Sequence, residues 1–290
     1  MIFCLGLPLT EIMDVEENTV VCGIVVLSRQ ASLTDEQRIA LELMRNAFKN
    51  EDKDVFGMSV DDSTYLRYLR ARNFDFEKAS AMLRATIEWR HSFGLSEMLE
   101  GWADVIKLEN STGKMYLRGY DHNGHVLVYM RPRFENTNDH NGNMKHLVYT
   151  LERAIACMKE RDKDVEKLVL LIDYEGFSLF NAPPMKTSLE TLNILQNHYP
   201  ERLYRAYIIR PPWIFSAFWN MISPFVDPVT REKICFLSSD MKEMNASLKQ
   251  DIDTSILESD VSGEDSRPFS SEVYLKGDFS TDFLSIIDFQ

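Results

Sequence analysis

Leu168-Val169-Leu170-Leu171-Ile172 decides the fold: five consecutive apolar residues bounded by Lys167 and Asp173. A run this short, apolar at every position, reads as a strand covered on both faces. Upstream, residues from about Met144 to Arg161 place Leu147, Leu151, Ala154, Ile155 and Met158 in helical phase. Before them, Lys114–Arg118 and Val126–Arg131 are strand-like. Asp121-His122-Asn123-Gly124 lies between these two strands, and its Asn-Gly pair marks a tight hairpin turn. Downstream come a helix near Pro184–Tyr199, a strand at Tyr204–Ile209, an aromatic segment at Trp213–Val226 and a short strand at Ile234–Leu237. Strands alternating with helices predict an α/β unit with a mixed sheet.

The pattern ahead of this unit is helical. Thr34 and Gln37 have capping-box spacing, and Asp35 and Glu36 suit the first turn of a helix whose apolar face reads Ile39, Leu43, Ala47 and Phe48. A second helix covers about Asp61–Arg72. A third runs from Asp75 as N-cap to Gly94 as terminator, with Ala79, Met82, Leu83, Thr86 and Phe93 on one side. The chain therefore divides into an extension over residues 1–30, a helical unit over 31–105, an α/β lobe over 106–250 and an acidic, partly disordered tail over 251–290.

The net charge of −13 belongs to the ends. Residues 1–28 hold four acids and no Lys or Arg, and residues 251–290 hold ten acids and two bases, so the middle is nearly neutral. No basic footprint for nucleic acid is present. The four cysteines are scattered without a CxxC pair, and His122 and His125 only flank the hairpin turn, which argues against a metal site. No apolar stretch reaches the ~18 residues of a membrane span. No base precedes Arg29 to start a signal peptide, so a soluble chain is expected.

Trp213–Val226, WIFSAFWNMISPFV, is apolar at ten of fourteen positions. A surface helix normally carries a wider polar face, so this one is either core or turned toward something greasy. Trp213 and Trp219 suit a membrane interface, with an apolar ring and one N–H donor. Asp227-Pro228 then reads as an N-cap with Pro at the first helical position. Thr230 and Lys233, one turn apart, offer a hydroxyl and an ammonium to an anionic phosphoester.

Five blocks resemble the CRAL-TRIO family, and within it the phosphatidylinositol/phosphatidylcholine transfer proteins. They are Asp61–Asp75, Asp173-Tyr174-Glu175-Gly176-Phe177-Ser178, Tyr199-Pro200-Glu201-Arg202-Leu203, Ile208–Pro212 and Pro224–Ile234. The resemblance implies a helical N-lobe followed by a lipid-binding lobe whose mixed sheet floors an apolar pocket. It implies a headgroup site of Arg72, Glu201, Arg202, Thr230 and Lys233, with Ser178 as a weaker candidate for a second headgroup. It also implies a gate that meets the membrane through Trp213, Ile214, Phe215, Phe218, Trp219, Ile222 and Phe225. Asn73 stands where many members carry a second base, and Phe180 where choline-lipid binders carry a small hydroxyl residue. The family's usual closing Leu-Pro…Gly-Gly motif is not recognisable in the tail.

These readings converge on a non-enzymatic carrier, because no GxSxG, GxxxxGK[ST] or HExxH occurs. The expected ligand is phosphatidylinositol or another phospholipid, exchanged during transient membrane-surface contact. No cofactor, metal or nucleic acid is expected. The expected state is a cytoplasmic monomer held peripherally at membranes, Golgi or endosomal by resemblance. The alternative is a lipid-sensing interaction module that presents lipid to, or regulates, a lipid kinase or small GTPase, with the acidic tail as its recruiting feature.

Overall fold

The computed structural model describes residues 33–288, apart from positions 163, 179–183, 214, 227 and 238, and certain side chains between 216 and 225. The extension over 1–30, with its four acids, lies outside the described residues.

The helical unit is built on α1 (Asp35–Ala47), α2 (Asp62–Ala71) and α3 (Phe76–Phe93), with a two-strand hairpin, β1 (Asp54–Val55) and β2 (Met58–Ser59), between the first two helices. The Thr34/Gln37 capping box forms, and Asp61 and Asp75 cap the next two helices. Gly94 adopts the left-handed conformation that stops α3. The face expected for α1 is corrected. Ile39 and Leu43 are exposed, whereas Ala40, Leu41, Met44 and Phe48 are buried. Two apolar stripes lie side by side on this helix, and packing on α2 and α3 selects one of them. An Arg45–Asp62 hydrogen bond at 2.8 Å fixes that rotation.

A second, larger core begins at Leu95 and includes Trp102 and Ile106. Helix α4 (Ala103–Asn110) packs on α5 (His140–Arg161). The expected boundary at residue 105 therefore cuts a helix, and residues 95–106 belong by packing to the α/β lobe.

That lobe carries a five-stranded sheet in the order β3 (Met115–Tyr120), β4 (Val126–Met130), β5 (Leu168–Asp173), β6 (Leu203–Ile209) and β7 (Ile234–Leu237). The β3–β4 hairpin is antiparallel and the remaining pairs are parallel, which makes the sheet mixed. Asp121 holds the turn by accepting from the backbone N–H groups of Asn123 and His125, while Gly124 takes φ +82°. Helices α5, α6 (Met185–His198) and α7 (Phe215–Ile222) with α8 (Pro228–Glu232) make the successive parallel crossovers.

Side chains alternate across the sheet, so register sorts its two faces. One row runs Tyr116, Tyr129, Leu171, Tyr207, Cys235; the next, on the opposite face, runs Met115, Met130, Ile172, Ile208, Phe236. The tyrosine face is covered by the C-terminal segment, which is folded and not disordered. Helices α9 (Met241–Leu248), α10 (Ser271–Lys276) and α11 (Phe283–Asp288) frame it, with Leu257, Val261, Tyr274 and Phe283 buried. Four of its ten acids are engaged internally. Glu258 meets Arg131 and Arg118, Asp265 meets Arg118 at 2.6 Å, Asp251 meets Arg205 at 2.6 Å and Asp282 accepts from the Gly119 N–H.

The helical unit is pinned to α5 and α6 by buried polar contacts. Arg90 pairs with Glu152 at 2.6 Å, and Tyr199 donates to the same carboxylate at 2.6 Å. Trp89 stacks on His198, whose Nδ1 lies 3.1 Å from Thr86 Oγ1.

Candidate lipid site

The row Met115–Met130–Ile172–Ile208–Phe236 is apolar across all five strands, yet only Ile208 is buried, and Phe236 is 48% exposed. An apolar sheet face left partly open is the floor that a greasy ligand requires. A cavity of about 120 Å³ at its β3–β4 end is lined by Met115, Met130, Met144, Leu147, Thr187 and Thr191, among others.

Helix α7 stands over the other end. Phe215 is buried against Tyr174 and Phe236, with ring centroids at 5.0 and 6.0 Å, and Trp219 packs on Phe236 at 5.5 Å. On the solvent side Trp213 is 88% exposed and Met221 50%. The helix is thus not clamped on every side; it has an aromatic underside on the sheet and apolar side chains in water. Ile214 lies outside the described residues, as do the side chains of Phe218, Ile222 and Phe225.

The polar candidates gather at the amino ends of the parallel strands. Leu168 pairs with Leu203, so the residues entering β5 and β6 are neighbours, and Lys233 directly precedes β7. Glu201 takes φ +58°, an unusual conformation for a residue with a side chain, and its carboxylate lies 3.9 Å from the Lys233 ammonium. Thr230 sits in α8, where its carbonyl accepts from the Lys233 N–H at 3.1 Å. Lys167, which the sequence reading did not single out, joins this group. Burial holds its ammonium below the ordinary lysine range, Lys233 pushes the same way and Glu201 opposes. The sequence signal was its position immediately before the Leu168–Ile172 run.

Arg202 and Arg72 stand apart from that pair. The Arg202 guanidinium turns into the cleft below the helical unit and donates to the Glu166 carbonyl at 2.9 Å. Arg72 caps α2, half-buried, and donates to the Ala71 carbonyl at 2.9 Å. Asn73 and Phe74 both take positive φ beyond it; asparagine tolerates that conformation, which gives Asn73 a backbone reason to be there. Ser178 is half-buried at the edge of 179–183, outside the described residues. Asp173 is structural: buried, it accepts from Arg133 at 2.6 Å, from Arg210 Nε at 3.1 Å and from the Glu175 N–H at 3.0 Å.

Among the described residues no helix is long and apolar enough to cross a membrane. A solved structure of Sfh5 aligns over 73% of this chain and 83% of its own, with a TM-score of 0.58 at 15% identity, a likeness of fold. The phosphatidylinositol transfer protein PDR17 of Saccharomyces cerevisiae is 35% identical over 181 residues, which span 59% of this chain and 51% of that protein. The SEC14 cytosolic factor of Eremothecium gossypii is 32% identical over 222 residues, 72% of this chain and 71% of that one. The chain thus spans about half the length of PDR17, and a Schizosaccharomyces pombe relative is matched over only 16% of its length. The model of the CRAL/TRIO domain matches residues 110–263 and that of the CRAL/TRIO N-terminal domain residues 35–85. The chain belongs to the CRAL/TRIO domain family.

Proposed function

We propose that the chain binds one phospholipid at a time, phosphatidylinositol among its ligands, and exchanges it with membranes through a gate made by α7. The observation that carries this reading is the half-open apolar row from Met115 to Phe236 beneath a helix that keeps Trp213 in water. Strands rise about 3.3 Å per residue, so roughly 17 Å separates Lys167 from Ile172, a span that suits a headgroup at one end and acyl chains at the other. Burying acyl chains contributes about 0.8 kcal/mol per CH₂, enough to offset the desolvation of a hydrogen-bonded headgroup. The name of PDR17, a phosphatidylinositol transfer protein, supports the same ligand class. In this reading Glu201, Thr230 and Lys233 hold the headgroup, with Lys167 beside them and with Arg72 brought to them on loading. The protein acts as a monomer that touches membranes transiently, and transport needs no covalent step.

The interaction-module alternative relies on the acidic tail, where Asp251, Glu258, Asp265 and Asp282 are paired inward while Asp253, Glu264, Glu272, Asp278 and Asp288 stay exposed; the open apolar row favours the carrier. Extraction of labelled phosphatidylinositol from vesicles, with native mass spectrometry of the loaded chain, tests the carrier. Thr230→Ala combined with Lys233→Ala should abolish inositol-lipid loading and spare other lipids. A chain that loads no lipid at all refutes the proposal, and equal loss of every lipid refutes the assigned headgroup role.

A further inference from the structure

A second cleft of about 290 Å³, roughly the share of ten waters, opens between α2 and the α/β lobe, with Arg202 in its lining. Its inner wall is cationic. Arg67 is 4% exposed and Arg202 half-buried, and the Nε of each is a buried donor with no hydrogen-bond partner. Glu166 faces them at 3.7 Å from Arg67 Nε, and the same carboxylate accepts from the Ser63 hydroxyl. Asp61 is committed to capping α2 through the Thr64 N–H. Lys159 stands exposed at the mouth, donating to Gly57 O and Ser59 Oγ at 3.1 and 3.2 Å. Three cations, Arg67, Arg202 and Lys159, line the cleft with two carboxylates, Glu166 and Asp61, and with Ser59, Ser63 and Thr64. Burial, and then the neighbouring Arg67, bring the Arg202 guanidinium down to about 9, against the pull of Glu166 and Glu152.

We infer that this cleft is an anion site for a phosphate group, held by Arg67, Arg202 and Lys159. Guanidinium forks match phosphate oxygens, and orphaned buried donors are costly unless an acceptor meets them. The site joins the helical unit to the α/β lobe and stands independently of the lipid reading.

Inorganic phosphate titrated into the full chain at constant ionic strength, against chloride, should raise Tm saturably and give a measurable Kd by calorimetry. Lys159→Ala, an exposed change that leaves the fold intact, should weaken binding about tenfold. Arg67→Lys should weaken it further, and Thr230→Ala with Lys233→Ala should leave it unchanged. Phosphate still bound by a chain loaded from phosphatidylinositol vesicles identifies a separate phosphorylated ligand. Phosphate displaced by loading identifies a lipid headgroup as the source. Either result supports the site. No saturable binding, or binding that Lys159→Ala and Arg67→Lys leave untouched, overturns it, whatever the chain does with lipid.

Discussion

The two faces of one sheet have opposite chemistry. On the tyrosine face, Tyr116 and Tyr129 donate to or accept from Glu258, and Tyr207 donates to Asp251. Phe269 stacks on Tyr116 with centroids 3.9 Å apart. That face is sealed by the chain's own last forty residues. The opposite face offers methionine, isoleucine and phenylalanine with no polar atom, and Phe236 is half exposed at its edge. A polar pattern specifies one cover, because every donor must find its acceptor. An apolar, partly open row specifies none and accepts whatever is greasy and fits. The contrast separates a structural face from a working one within a single layer of backbone.

The largest expected effect comes from breaking the sealed face. Glu258 is buried against Arg131 and within 3.3 Å of Arg118, and Glu258→Ala leaves both cations in the interior without it. Removing one partner from a buried pair costs about 3–5 kcal/mol. Urea unfolding should register that loss, while lipid loading per folded molecule stays near the parent level. A small loss of stability with a large loss of loading would mean that the two faces are not functionally separate.

The working face should respond the other way round. Trp213 is almost fully exposed, so Trp213→Ala should change stability by no more than about 0.5 kcal/mol. If α7 meets membranes, the same change should slow lipid exchange between vesicles several-fold. Unchanged exchange would remove Trp213 from the gate. Ile172→Trp, in the middle of the open row, should cost about 1–3 kcal/mol if the floor is already packed and much less if space lies above it.

The contrast also explains what the sequence made legible. The mixed α/β sheet followed from the Leu168–Ile172 run and the alternation of strands with helices around it, because parallel strands buried on both faces leave a continuous apolar signature. The headgroup candidates Thr230, Lys233 and Glu201 could be carried over as a local pattern, and Glu201 and Lys233 do meet. The tail was misread because its order comes from partners far away in the chain. Asp265 pairs with Arg118 and Glu258 with Arg131, while its buried apolar residues sit in elements of three to six residues, too short to show a period. Ile39 and Leu43 misled because α1 carries two apolar stripes and only tertiary contact chooses between them. Arg202 was carried over with Glu201 by family resemblance, and its guanidinium lies in the cleft with Arg67 and Glu166, whereas Glu201 meets Lys233.

The smallest expected effect concerns the joint that carries the helical unit. Burial, reinforced by Arg90, brings the His198 imidazole down to about 4, and burial with Lys114 nearby brings His146, packed by Asn110, down to about 3. Both are therefore neutral in the folded chain, whereas an unfolded histidine titrates near 6.5. A depressed folded value means that the unfolded chain binds more protons below that pH. The stabilisation is complete above about 6.5 and falls away as pH drops toward the folded values. Asp265 behaves as the tail's anchor in the same range, since its pairing with Arg267 and Arg118 holds its carboxyl well below the usual carboxylate values. Mild acid should accordingly loosen the α3–α6 joint while the sealed tyrosine face holds. Hydrogen exchange, expressed as protection relative to the intrinsic rate at each pH, should show less protection in α3 and α6 at pH 5 than at pH 7.5, with the segment around Tyr274 and Phe283 keeping its protection. His198→Asn should flatten the fall in stability over this window by about 1 kcal/mol, after allowance for solvent screening of a half-buried group. Equal loosening of the tail at pH 5 would show that its acids, and not these histidines, set the acid limit of the fold.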